Sequence, residues 1–155
     1  MDTIPDRRQV ALMIDYLFGK GVSRALPRGV YKLFRSRRSG RVRQINLDGK
    51  LFAVVKPNGA IALSIFGAQT LSRSPRFKDN CVQVSDDVAQ FVRGGRSVFC
   101  KFVTWSGKKI YPKSEVAIVD GRWKILGVGM AMLNGAHMKQ FKSGTAVKVR
   151  SGIAA

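Results

Sequence analysis

Short runs in which apolar residues alternate with basic or polar ones, separated by tight-turn dipeptides, constrain this chain most. Val30–Arg35 (VYKLFR) and Arg41–Leu47 (RVRQINL) alternate with period two, as strands buried on one face do. SRRSG (36–40) is the turn between them. NLDGK (46–50) holds Asp48-Gly49, a strong two-residue hairpin signal, and leads into Leu51–Lys56. Pro57-Asn58-Gly59 turns the chain into the apolar run Ala60–Phe66, read as strand and then helix through Leu71. Further on, Cys81–Val84, Ser97–Trp105, Ser114–Val119, Trp123–Leu133 and Thr145–Arg150 read as strands, with Asp120-Gly121 as a second hairpin turn. Short strands at such spacing argue for a small barrel.

Helical periodicity is confined to a few places. In Arg7–Phe18 (RRQVALMIDYLF), Val10, Ile14, Leu17 and Phe18 share one face with Met13 beside them, while Arg8, Gln9 and Asp15 take the other. Pro5 and Gly19 mark the ends of this amphipathic helix. A second helix is expected after Ser85. The serine is placed to cap it, and Asp86 and Asp87 supply the negative charge favoured in a first turn. Val88, Phe91 and Val92 form its apolar face, and Gly94-Gly95 ends it. Asn134–Lys142 reads as one more short helix, with Gly144 past its end. The polar, proline-bearing stretch SRSPRFKDN (72–80) is the seam between two units. The expected fold is α+β: a small N-terminal α+β domain over 1–78, then a C-terminal β-barrel with short helices over 79–155.

Charge constrains what such a chain does. Twenty-eight Lys and Arg face nine Asp and Glu in 155 residues, a formal net charge of +19. An excess of this size repels itself in the folded state and matches a polyanionic partner. It is also spread out: residues 1–80 carry 16 basic and 5 acidic groups, and residues 81–155 carry 12 and 4. Both halves can face phosphate, which a single basic tail would not allow. With 45% hydrophobic residues, the chain is too apolar for a disordered basic arm.

The sequence lacks the common enzyme signatures. It has no G-x-S-x-G elbow, no phosphate-cradling G-x-x-x-x-G-K-S/T and no H-E-x-x-H. Gly127-Val128-Gly129 falls within a strand and does not open a helix, so a dinucleotide site fails on context. His137, the single histidine, reads as a surface helix residue ahead of a general base. Cys81 and Cys100 have no close Cys or His neighbours and make no zinc pattern. They read as two buried free thiols of a reducing compartment, with a disulfide as the minor alternative. No run approaches the ~18 apolar residues of a spanning helix, and MDTIPDRRQ (1–9) holds no apolar signal core. The expected localisation is cytoplasmic, with no membrane partner, no metal and no cofactor.

The cations fall into two sets. Arg24, Arg28, Lys32, Arg35, Arg37, Arg38, Arg41 and Arg43 follow one another without an intervening acid. On a strand, Arg41 and Arg43 project from the same side, with Arg37 and Arg38 at the adjoining turn. That row suits a line of phosphates, each taking parallel donors from a guanidinium. The plain alternative is a solvated strand face. In the second half, Arg93-Gly94-Gly95-Arg96 links helix to strand and is expected to leave backbone N–H groups exposed between two cations. Lys101, Lys139, Lys142, Lys148 and Arg150 follow. An exposed ring among Phe99, Phe102 and Trp105 would stack on an unpaired base and contribute roughly 1–3 kcal/mol. Core placement is the ordinary expectation for all three, and for Trp123.

From Val82 onward the chain resembles the PUA domain, the RNA-binding module shared by pseudouridine synthases and archaeosine transglycosylases. The resemblance is carried by FVRGGRSVFCKFV (91–103), IYPKSEVAIVD (110–120), ILGVGMAML (125–133) and MKQFKSGTAVKVR (138–150). The first unit is similar to the segment preceding that domain in archaeal tRNA-guanine transglycosylases, through DYLFGKG (15–21), RSRRSGRVRQINLDGKLFAVV (35–55) and the apolar run to Leu71. The family's large catalytic barrel, with its nucleophilic aspartate and zinc site, has no counterpart in these residues. The resemblance implies that the C-terminal barrel is of PUA type and grips the acceptor stem and 3′ end of tRNA. Carried over by position, Arg93, Gly94, Gly95, Arg96 and Lys101 border the RNA groove. Gly127, Lys142, Gly144 and Lys148 lie on the facing strand and loop, with Lys139 beside them. It further implies a non-catalytic tRNA-binding subunit of a split transglycosylase, or of the related synthase acting on the inserted base, with a separate catalytic chain as partner. A PUA-domain ribosome-assembly or translation-initiation factor is the alternative. The missing His/Cys/carboxylate clusters argue against a third reading, an independent enzyme using the cleft between the units.

Overall fold

Val10, Ile14 and Phe18 stand four residues apart and are all buried, so α1 (Thr3–Phe18) packs by a single stripe. The computed structural model describes residues 3–154. Met1 and Asp2, at the head of the segment read as free of a signal core, lie outside them. α1 begins at Thr3, so Pro5 sits within its first turn, where a missing N–H breaks no helical bond.

The chain divides into two units, Met1–Phe77 and Lys78–Ala155. In the first, α1 packs beside an antiparallel meander of β1 (Tyr31–Arg35), β2 (Val42–Leu47), β3 (Lys50–Val55) and β4 (Ile61–Leu63). Asp48 (φ 51°) and Gly49 (φ 80°) are both left-handed, so the turn has the twist that hairpin strands need, and Leu47 pairs with Lys50 across it. α2 (Ile65–Leu71) is capped by Ser64, whose Oγ accepts the Gly67 N–H at 2.9 Å. Tyr31, Ile45, Leu47, Phe52, Leu63 and Leu71 fill the core with the α1 stripe. Phe77 meets Phe18 edge to face, with ring centroids 5.7 Å apart.

One expectation for this sheet fails. Phe34 pairs with Gln44 but Arg35 pairs with Val42, so Arg43 is the extra residue of a bulge. Arg41 precedes β2 altogether. Strand alternation therefore does not place Arg41 and Arg43 on a shared face.

The second unit holds β5 (Cys81–Val84), β6 (Val98–Phe99), β7 (Val103–Ser106), β8 (Glu115–Val119), β9 (Ile125–Ala131) and β10 (Thr145–Gly152) in one sheet, ordered 6-10-9-8-5-7. The β5–β8 pair is parallel and the others are antiparallel. The single strand expected over Ser97–Trp105 is two strands. A 3₁₀ turn at Cys100–Phe102 breaks it, and the halves take opposite edges of the sheet. Because the edges β6 and β7 are consecutive in sequence, that one turn draws them together and curls the sheet into a nearly closed barrel. Val82, Val98, Ile118, Leu126, Met138 and Val147 belong to its core.

Three local expectations are also corrected. The helix after Ser85 is a 3₁₀ turn (Asp86–Val88) followed by α3 (Ala89–Arg93). Ser85 makes no side-chain cap, and the Asp86 carboxylate instead accepts the Gly121 N–H at 3.1 Å. The left-handed residue of the β8–β9 turn is Trp123 (φ 65°), not Gly121. α4 is only Gly135–Met138, because every residue from Lys139 to Gly144 is exposed and the apolar stripe stops at Met138.

Candidate nucleic-acid interface

The acids do little to offset the cations, because four of the nine hold backbone. Asp15 accepts the Ser23 N–H at 2.8 Å and Asp48 the Val30 N–H at 2.8 Å. One Asp120 oxygen accepts the N–H groups of Arg122 at 2.8 Å and Lys124 at 3.0 Å. A carboxylate fixed in this way stabilises a turn and cannot follow a distant guanidinium. Among the described residues two ion pairs form. Arg93 lies 3.9 Å from Asp120, and Arg150 grips Glu115 through both terminal nitrogens.

In the first unit the positive surface centres on the β1–β2 tip. The Ser36 N–H donates to the Arg41 carbonyl at 2.8 Å, and the Ser36 carbonyl accepts the Gly40 N–H at 2.9 Å. Arg37 and Arg38 ride exposed on that turn. Arg35 donates to the Gly40 carbonyl and to Gln9 Oε1, each at 3.0 Å, and Arg41 donates to the Pro57 carbonyl at 2.6 Å. A neutral oxygen holds a guanidinium in place without cancelling its charge, and each of these arginines keeps further donors. The exposed Arg43 joins them at the bulge. All five arginines predicted here meet at one end of the hairpin, two anchored and three projecting.

In the second unit the Arg93–Arg96 link is a helix stop. The Gly95 N–H donates to the Val92 carbonyl at 2.9 Å, that of Arg96 to Phe91 at 3.0 Å and that of Gly94 to Gln90 at 3.2 Å. With Gly95 left-handed at φ 95°, this is a Schellman motif. The backbone N–H groups expected to be exposed are therefore all bonded within α3 and its cap. Gly94, at φ −79°, has no need to be glycine for its conformation.

Arg93 is part of the scaffold: it pairs with Asp120, and its carbonyl accepts the Ala154 N–H at 2.9 Å. Gly127 is buried opposite Gly152, where a Cβ would lie 2.7 Å from the Ser151 carbonyl. It lets β10 approach β9. Gly127 stands three residues along β9 from Met130, the partner of Lys148, which is about 10 Å of strand. The structure thus separates Gly127 from Lys148 and Gly144.

What it does bring together is an apolar groove of about 380 Å³ lined by Val88, Phe91, Val92, Val98, Phe99 and Phe102, with Arg96 at its rim. Phe91 and Phe99 are 47% and 49% exposed, so the core placement expected for Phe99 is wrong. The Arg96 guanidinium lies 5.9 Å from the Phe91 ring centroid, and Lys101 Nζ lies 5.0 Å from that of Phe102. The Cys100 N–H donates to the Gly144 carbonyl at 2.9 Å and Thr145 pairs with Phe99. The loop carrying Lys139, Lys142 and Gly144 therefore ends beside β6, and Lys148 is exposed further along β10. Trp105 and Trp123 are not core either. Trp105 is 36% exposed, its ring meets Trp123 at 5.1 Å, and Lys78 lies 4.6 Å from the Trp123 centroid. Alternation misleads in this stretch because the turn at 100–102 resets the facing of every residue after Phe99.

Both cysteines are buried and free, and burial pushes the Cys81 thiol up to about 12 and that of Cys100 upward. Neither is poised as a nucleophile. His137 is exposed. Among the described residues no group of three or more His, Cys, Asp and Glu could hold a metal ion, and no helix is long and apolar enough to cross a membrane.

A barrel closed by one turn, with a Schellman stop leading to a basic-rimmed groove, places the second unit in a known class: residues 80–153 match the PUA domain. Residues 8–77 match the patch-forming domain C2 of tRNA-guanine transglycosylase, so the chain is a PUA-domain protein that carries this C2 domain ahead of the PUA module. It is 38% identical over 148 residues to the tRNA-guanine(15) transglycosylase of Thermococcus onnurineus, covering 95% of the chain. To that of Methanobrevibacter smithii it is 35% identical over 150 residues, covering 96%. The chain spans about a quarter of the length of these relatives, 25% and 23%. Among solved structures, it resembles a hypothetical protein from Pyrococcus horikoshii with a TM-score of 0.75 at 18% identity, covering 100% of this chain and 93% of that one. A conserved PUA domain protein from Thermoplasma acidophilum gives 0.69 at 14% identity with the same coverage. These two likenesses are of fold.

Proposed function

We propose that this chain binds tRNA by its sugar–phosphate backbone, as the non-catalytic RNA-binding part of a tRNA-guanine transglycosylase or of the related archaeosine synthase. Its partner in that reading is a separate catalytic chain, and the setting is the cytoplasm. The observation that carries the proposal is the use of the acids: Asp15, Asp48, Asp86 and Asp120 all accept backbone N–H groups, leaving the Arg35–Arg43 tip and the Arg96–Lys101 rim without a paired acid. The acceptor stem and 3′ end lie in the PUA groove. Unpaired 3′ bases stack at Phe91 and Phe99, and stem phosphates meet Arg96, Lys101, Lys139, Lys142 and Lys148. Arg35, Arg37, Arg38, Arg41 and Arg43 take further phosphates.

The test is tRNA binding by the full chain across a salt series. The log–log slope is expected at about −0.7 to −0.9 for each neutralised phosphate. A tRNA trimmed of its unpaired 3′ nucleotides binds more weakly. Salt-independent binding would refute the proposal. Guanine exchange on tRNA by the chain alone would remove its non-catalytic part. Co-purification with ribosomal subunits instead of a transglycosylase would favour the assembly-factor alternative.

A further inference from the structure

Three arginines of the first unit, of which only Arg24 belongs to the row of cations above, line a concavity. Arg24 lies in the 3₁₀ turn Val22–Ala25, while Arg73 and Arg76 follow α2. The concavity measures about 380 Å³, and Gly21, Ser74 and Pro75 help to line it. Among the described residues no acid and no aromatic ring lines it.

Arg76 is fixed in place. Its Nη1 donates to the Lys20 carbonyl at 3.0 Å, and its side chain crosses Gly21. A Cβ at Gly21 would lie 3.2 Å from Arg76 Cδ, on a backbone at φ 94° that disfavours a side chain in any case. Gly21 is thus both the turn and the floor. Arg24 and Arg73 are exposed, and among the described residues their guanidinium groups make no hydrogen bond or ion pair.

Gathering three like charges around one hollow is unfavourable, and among the described residues none of the three forms an ion pair. An oxyanion would. Three guanidinium forks converging on one space offer more donors than a neutral ligand accepts, and the hollow has no ring to grip a base or an apolar body. We propose that this basin holds a phosphate of a nucleic-acid backbone, a second contact on the first unit apart from the β1–β2 tip. The source of the phosphate rests on the RNA-binding reading; the phosphate itself rests on the chemistry of the basin.

The experiment compares the full chain with Arg24→Ala/Arg73→Ala and Arg24→Lys/Arg73→Lys doubles. In a tRNA salt series the alanine variant is expected to give a slope shallower by about 1.4–1.8, the value for two lost phosphate contacts. The lysine variant keeps the slope but binds severalfold more weakly, because an ammonium lacks the planar fork. An unchanged slope in the alanine variant overturns the proposal. A second arm titrates inorganic pyrophosphate while the arginine Nε–H resonances are followed by NMR. Saturable shifts at Arg24, Arg73 and Arg76 in the wild type, with the shift at the retained Arg76 lost in the alanine variant, support the basin. Absence of shifts there overturns it. Should the wild type fail to bind tRNA at all, the RNA-binding reading falls, and this second arm alone decides whether the basin is a phosphate site.

Discussion

Exchanging the two adjacent glycines after α3 separates a helix stop from a merely flexible link. Gly95 is the left-handed residue of the Schellman motif, and Gly94 is not. An alanine forced to φ 95° costs about 1–2 kcal/mol. At Gly94 an alanine Cβ would meet the Phe91 carbonyl at 3.5 Å, an ordinary contact, on a backbone that any residue adopts. There the substitution restricts the unfolded chain and stabilises by about 0.4–1 kcal/mol. Gly95→Ala and Gly94→Ala are therefore expected to differ by about 1.5–3 kcal/mol, with opposite signs relative to wild type. Both tryptophans of the chain, Trp105 and Trp123, lie in the second unit, so urea unfolding followed by tryptophan emission reports on that unit. With a slope of about 1–2 kcal/mol per molar urea, the two midpoints separate by about 1 M or more. Equal midpoints, or Gly94→Ala as the weaker protein, would refute the assignment of the cap.

Three further outcomes follow from the geometry. A Cβ on Gly129 would lie 2.2 Å from the Lys148 carbonyl, so Gly129→Ala is expected to cost about 3 kcal/mol or more and to abolish the near-UV circular dichroism of the tryptophans; a change under about 0.5 kcal/mol would contradict the pairing of β9 with β10. Cys81 stays protonated in the fold up to about 12, well above its value of 9.0 in the unfolded chain, so the unfolded state releases its proton first as pH rises. Its share of stability is complete below about pH 9 and falls by about 1.4 kcal/mol per unit towards 12; Cys81→Ala should flatten that alkaline slope, and an unaltered slope would count against it. Arg37→Ala/Arg38→Ala should leave stability within about 0.5 kcal/mol and make the tRNA salt slope shallower by about 1.4–1.8; an unaltered slope would make the tip a solvated turn.

The sequence makes the regular parts of this molecule legible and hides the places where the chain breaks its own pattern. The α1 stripe, the Asp48-Gly49 hairpin and the strand-then-helix at 60–71 follow directly from periodicity and turn chemistry. The turn at Cys100–Phe102 has no such marker. It is missed by alternation, and with it go both the closure of the barrel and the exposure of Trp105. The bulge at Arg43 is hidden for the same reason, since a one-residue insertion leaves composition unchanged. The Gly94-Gly95 pair correctly signals a helix end, but the side that receives its N–H bonds is visible only in three dimensions. The Arg24–Arg73–Arg76 basin is beyond any local reading, because its members are far apart in sequence and meet only once α2 is packed. The cations are countable from the sequence. That four of the acids are committed to backbone N–H groups, and so do little to compensate those cations, is not.

In the proposed function, structured RNA lies along these uncompensated cations. Amide and arginine side-chain NMR shifts of the full chain, recorded with and without a tRNA acceptor-stem minihelix, read that claim directly. Salt-sensitive perturbations are expected at Arg35–Arg43 and at Phe91, Arg96, Phe99, Lys101 and the 139–148 segment. Perturbations absent from both regions, or unaltered by added salt, would contradict it.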